Sequence, residues 1–212
     1  MRRLRAHLEE GFTAVEMAIA CGVLMIVALM GFYAMSSTLT GSSAGLAKSQ
    51  ATTISSYALS QLRQEVTSAN VLFNPATEGS NAGTNPDHTS IPAGFSLRVY
   101  TQNNGIYTCL QWRVLDTGDL QVRSWSNQWQ TNGVVGVWTT LLTGVTNPSN
   151  SPPFVLDQNA NFGGSTSSRL LDVNFILGGK NIVTPVDVVS SIAGRDAEYY
   201  PQNTGDCSPV PS

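Results

Sequence analysis

Gly11-Phe12-Thr13-Ala14-Val15-Glu16 opens the stretch that decides the fold, and nineteen residues without a charge follow it, from Met17 to Met35. As one helix, Phe12 to Met35 spans about 36 Å at 1.5 Å per residue, enough to cross a hydrocarbon core of about 30 Å. Ahead of it, Met1 to Glu10 is short and polar, with Arg2, Arg3 and Arg5 among its first five residues. Basic residues on that side hold the leader in the cytoplasm and send the C-terminal bulk across the membrane. A secretory signal shares the basic start, but its apolar region usually runs about 7–15 residues. The nearest small-residue cleavage site, Ala44-Gly45-Leu46-Ala47, lies too far downstream. The reading is a single-pass anchor.

Between Phe12 and Ala47, Glu16 is the only charged residue. A carboxylate so early in an apolar helix is costly in lipid and needs a partner. A basic leader, then Gly11-Phe12-Thr13-x-x-Glu16, then an apolar run resembles the class III signal of type IV prepilins and pseudopilins. The resemblance implies that an inner-membrane prepilin peptidase cuts between Gly11 and Phe12 and methylates the new N-terminus. It implies also that Glu16 meets the α-amino group of a subunit within a filament. The physics agrees, because a carboxylate and an amine brought together in an apolar bundle neutralise each other. A site that admits only a hydrogen side chain selects Gly11 sterically. Ala14 stands where many members carry leucine, and Tyr33 where major pilins often carry proline, which leans towards a minor subunit.

The 212 residues allow one domain plus an anchor, or at most two small domains. The charged fraction, 12%, is about half the usual share, and Asn, Gln, Ser and Thr take over the polar role, which suits the extracytoplasmic side. After the apolar run, eight basic residues face eleven acidic ones, so the Lys and Arg excess of a strong nucleic-acid binder is missing. Cys109 and Cys207 are candidates for one disulfide across 98 positions, with two free thiols as the alternative.

Beyond the membrane, Ala51, Ile54, Ala58, Leu62, Val66 and Ala69 form an amphipathic stripe. It predicts a stalk helix that ends near Val71, because Asn74-Pro75 forbids simple continuation, with a weak point at Gly41 to Gly45. Period-two patterning then predicts strands at Ser96–Thr101, Tyr107–Leu115, Leu120–Trp125, Val137–Leu142, Leu171–Leu177 and Val186–Ser191, with loops at 75–90 and 144–168. Asp116-Thr117-Gly118-Asp119 reads as a hairpin turn. Tyr107 to Arg113 and Gly118 to Arg123 are loosely similar to minor subunits of the PilW and GspJ kind.

Several features imitate chemistry. Asp116-Thr117-Gly118 copies an aspartic-protease signature, but such an enzyme needs a second carboxylate sharing the proton, and one copy is present. His7 falls in the leader and His88 in a loop without a nucleophile elbow, so no serine hydrolase is expected. Asp157, Asn159 and Asn161 alternate before Gly163 as in a calcium loop, without the acidic closing ligand. Trp112, Trp125, Trp129 and Trp138 cluster, and core or loop packing is the favoured reading, with Trp129 the candidate for an exposed contact with another subunit or a ligand. Arg98, Arg113 and Arg123 are candidates to line up across strands, as a weak partner or DNA surface.

The combined expectation is an α+β, pilin-like fold: leader 1–11, transmembrane helix 12–35, amphipathic stalk helix 36–73 and antiparallel β domain 74–212. The function implied is that of a minor pilin or pseudopilin. Its partners are the prepilin peptidase, other pilin or pseudopilin subunits and the inner membrane. Its processing residues are Gly11 and Phe12, and its assembly residue is Glu16. No catalytic residue, metal or cofactor is expected. The alternative is a bitopic, exported binding domain never assembled into a fibre.

Overall fold

The computed structural model describes residues 13–103, 105–157, 170–179, 182–194, 198–200 and 207–211. The chain divides into two compact units, Met1–Gly45 and Leu46–Ser212, and helix α1 (Ala14–Thr67) contributes to both.

In the first unit, Ala14–Leu39 is apolar and long enough to cross a membrane, with a mean hydropathy of 2.3 and no residue buried. At 1.5 Å per residue its 26 residues span about 39 Å. Two of its hydroxyls turn back on the helix backbone. Ser37 Oγ and Thr38 Oγ1 both donate to the Ala34 carbonyl, at 2.9 and 2.8 Å, which removes the cost of leaving them unbonded in an apolar medium.

In the second unit α1 buries Ser55, Ala58, Leu62 and Val66, spaced three or four apart. Ala58, Leu62 and Val66 belong to the stripe read from the sequence, and the departure is at one position. Ile54 is 48% exposed, while Ser55 is fully buried because its hydroxyl donates to the Thr52 carbonyl at 2.9 Å. The helix ends at Thr67, and Ala69–Phe73 is strand β1, which corrects the expectation of a helix to Val71. Val71, Leu72 and Phe73 are all buried, so this strand is covered on both faces and its sheet partners outweigh helix continuation. Asn74-Pro75 acts one step later. The Asn74 side chain accepts from the Ala76 amide and caps a single 3-10 turn at Pro75–Thr77.

A second 3-10 turn follows at Gly79–Asn81, and the remaining elements are β2 (Ser96–Asn103), β3 (Ile106–Val114), β4 (Leu120–Ser126), the one-turn α2 (Trp129–Asn132), β5 (Thr139–Leu142), β6 (Phe154–Leu156), β7 (Leu170–Gly179), β8 (Ile182–Ala193) and β9 (Glu198–Tyr200). They form two sheets. The larger runs β5-β4-β3-β2-β1-β9, antiparallel except for the parallel pair β1 and β9, and the smaller runs β6-β7-β8. The stretch 144–168 expected as loop therefore contains β6, whose Phe154 is buried edge-on against Phe175. Asp116–Asp119 makes the turn between β3 and β4, closed by Gly118 N to Leu115 O. Gly118 sits at φ +83°, and a side chain there would meet the Val145 carbonyl at 2.7 Å.

Register gives the larger sheet two faces. Leu97, Trp112 and Val122 share one face and pack with Ala58, Leu62 and Val66 of α1 and with Leu171, Val173 and Phe175 of β7. Trp112 Nε1 donates to the Glu65 carboxylate, which also accepts from Gln61. Burial pushes that carboxyl above its ordinary range, and the two hydrogen bonds pull the other way. The opposite face carries Tyr100, Cys109, Trp125 and the three arginines.

Candidate functional site

Two places merit attention: the start of α1 and the arginine face of the larger sheet. At the first, Thr13 and Glu16 form a reciprocal cap. The Glu16 amide donates to Thr13 Oγ1 at 3.3 Å, and the Glu16 carboxylate accepts from the Thr13 amide at 3.1 Å and from its hydroxyl at 3.0 Å. This satisfies two of the amide donors that every helix start leaves open. The signal was legible as Thr13-x-x-Glu16, a capping box that the amine-pairing idea passes over. Glu16 is fully exposed at the head of the apolar helix, and Gly11 and Phe12 lie outside the described residues.

On the second site, Arg98, Gln111 and Arg123 stand directly opposite one another on β2, β3 and β4. Arg113 is opposite Gln121 one step along. The result is a checkerboard of cations and amides. Arg123 Nε and Nη2 both reach Gln111 Oε1, at 3.3 and 3.1 Å, while Arg113 Nε and Nη2 both reach Gln121 Oε1, at 3.0 and 2.8 Å. The indole of Trp138 lies under both, 3.8 Å from the Arg113 guanidinium carbon and 4.4 Å from that of Arg123.

Arg98 is handled differently. It is 1% exposed, pairs with Glu78 at 3.0 Å, donates to the Cys207 carbonyl and sits 3.9 Å over the Phe73 ring. Burial raises the Glu78 carboxyl above its ordinary range, against the pull of the Arg98 cation. Burial likewise lowers Arg98, Arg113 and Arg123. Arg123 falls to about 10, because the like charge of Arg113 adds to the desolvation.

A strap made of residues 207–211 covers this face. Cys207 is bonded to Cys109, with sulfurs 2.00 Å and α-carbons 5.6 Å apart. Three strap carbonyls accept from the face: Cys207 from Arg98, Pro209 from Trp129 Nε1 and Pro211 from Arg123. Val210 and Trp129 both pack against the buried cluster that includes Tyr100, Cys109 and Trp125. Trp129, the candidate for an exposed contact, is half-buried and tied to the strap, in line with the favoured packing reading. Arg98 and Arg123 do line up with Arg113, but both are buried, which argues against the minor candidate of an open DNA or partner surface.

The other sequence candidates stay apart. Asp116 is exposed at the hairpin and lines a cleft of about 410 Å³. The polar walls of that cleft already serve the fold. Asn85 accepts from the Asp116 amide, Thr146 donates to the Ile176 carbonyl, and Asn147 donates to Ser151 and Asn174. His88 sits exposed in a turn at φ 66°, its amide donating to Asn85. Asp157 is described, whereas Asn159, Asn161 and Gly163 lie outside the described residues. Among the described residues no three His, Cys, Asp or Glu side chains come together. No protein-family model, no curated protein and no solved structure matches this chain.

Proposed function

We propose that this chain is a minor pilin or minor pseudopilin, trimmed between Gly11 and Phe12 by a prepilin peptidase and assembled through its N-terminal helix into a type IV pilus or secretion-type filament. The observation that carries the reading is Gly11-Phe12-Thr13-x-x-Glu16 set directly ahead of an uninterrupted apolar helix. That helix has no covering of its own from Ala14 to Leu39. So much apolar surface requires either lipid or other apolar helices around it. A filament of packed helices and the inner membrane supply the two in succession.

Glu16 has two tasks in this account: to cap α1 through Thr13, and to neutralise the amine of an assembled subunit. They separate experimentally. Glu16→Gln retains a side-chain oxygen for the Thr13 amide but removes the charge, whereas Glu16→Ala removes both. Both variants are expected to insert in the membrane and both to be depleted from filaments. Incorporation of Glu16→Gln at the wild-type level rejects the charge-pairing step, whereas absence of the wild-type chain itself from filaments favours a bitopic binding domain that never enters a fibre.

A further inference from the structure

On the arginine face, two cations have no counter-charge among the described residues. Arg98 pairs with Glu78, the one ion pair among those residues, while Arg113 and Arg123 have no described carboxylate within ion-pair distance. Each guanidinium carries five N–H donors. Arg113 engages three, two on Gln121 and one on the Ala82 carbonyl. Arg123 also engages three, on Gln111 and the Pro211 carbonyl. Two donors remain on each side chain. Arg123 Nη1 has no hydrogen-bond partner among the described residues. Arg113 is itself only half-buried. Two residues beyond Arg123, on the same face, Trp125 Nε1 is buried without an acceptor. The face therefore presents more donors than acceptors, together with two like charges stacked on one indole.

We propose that Arg113 and Arg123, held side by side on Trp138, form a binding site for a small oxyanion, a carboxylate or a phosphate. The chemistry follows from the forks. Planar guanidinium groups bind two-oxygen faces of carboxylate and phosphate, and an anion between them offsets their mutual repulsion, which a neutral ligand does not. The glutamines opposite fix the planes of both forks, and Trp138 fixes their spacing, so the cost of ordering these long side chains is met before a ligand arrives. The proposal is independent of the filament reading.

The test uses the full-length chain in an uncharged detergent. Tryptophan fluorescence and the thermal midpoint are followed during titration with sodium phosphate and, separately, sodium acetate, each against sodium chloride at equal ionic strength. A saturable response to at least one oxyanion, absent with chloride, is expected. Response to acetate as well as phosphate identifies a carboxylate-type source, including an acidic side chain of another protein, and response to phosphate alone identifies a phosphate source. Arg113→Gln should weaken binding about tenfold, the equivalent of one lost charge-assisted pair. Arg63→Gln, a charge removed elsewhere on the unit, should leave it unchanged. Should Arg113→Gln lose its folded circular-dichroism signal, Arg113→Lys serves instead; it keeps the charge, loses the fork and should still weaken binding. No saturable response to either oxyanion, or an undiminished response in the folded Arg113 variant, overturns the proposal.

Discussion

Replacing Arg98 with Met tests the organisation of the arginine face most sharply, because the methionine keeps the apolar stem and removes only the cation. Glu78 is 3% exposed, and its Oε2 already lacks a partner, so loss of Arg98 leaves a carboxylate inside the protein without its counter-ion. Breaking a buried pair from one side costs about 3–5 kcal/mol. Losing the cation over Phe73 adds about 0.5–2 kcal/mol. For a folded unit of this size about 1 kcal/mol shifts the melting temperature by about 2–4 °C, so the pair alone predicts a fall of about 6–20 °C. The companion change decides the cause. In Arg98→Met/Glu78→Leu no charge is left buried, and exchanging a buried pair for apolar groups is often neutral or stabilising. The double variant should therefore return to within about 2 kcal/mol of wild type, the residue being the lost Phe73 contact and the lost bond to Cys207. Thermal denaturation followed by circular dichroism reads all three proteins. A loss below about 1 kcal/mol in the single variant, or a double variant no better than the single, refutes the argument.

Cys109→Ser opens a loop spanning 98 positions and should cost about 4–5 kcal/mol at most by the chain-entropy estimate, measured by denaturation under oxidising conditions. Wild type unfolded in reductant should then match the variant. Glu65→Gln should change the pH dependence of stability. Because burial raises the Glu65 carboxyl above its ordinary 4.5, the native state holds that proton more tightly than the unfolded chain does. The resulting stabilisation is full below pH 4.5 and is lost as pH rises through the raised native value. The variant still accepts from Trp112 but does not titrate, so its melting temperature should fall less than that of wild type between pH 4.5 and neutrality.

Much of the fold could be read from local pattern, and the failures have physical causes. Alternation placed β2, β3, β4, β7 and β8, because each shows one apolar face to the core and a more polar one outward. β1 escaped because Val71-Leu72-Phe73 is apolar on both faces and follows the helix stripe without a break. A short continuous apolar run carries no period to distinguish helix from strand. β6 escaped because three residues are too few for a pattern and their partners, Leu171 to Val173, lie far along the chain. The helix stripe was placed one residue off at Ile54, because nothing local reveals that Ser55 can be buried once its hydroxyl bonds to Thr52.

The sites divide in the same way. The alignment of Arg98, Arg113 and Arg123 follows from strand spacing. The burial of Arg98 and Arg123 involves a strap from residues 207–211, with Glu78 beside Arg98 and Trp138 against Arg113 and Arg123, all distant from them in sequence. The Cys109 and Cys207 pairing was one of two open possibilities until the strap was seen lying over β3. The cap at Thr13 was fully local. Its motif includes Glu16, the residue proposed for assembly, so the proposal asks one side chain to answer two physical demands.

The central claim is that the mature protein begins at Phe12, and the intact mass and N-terminal peptide of native membrane material test it directly. The account predicts a chain lacking residues 1–11 and starting with a methylated Phe12. Native protein that keeps its first eleven residues, or that is cut near Ala47 instead, contradicts it.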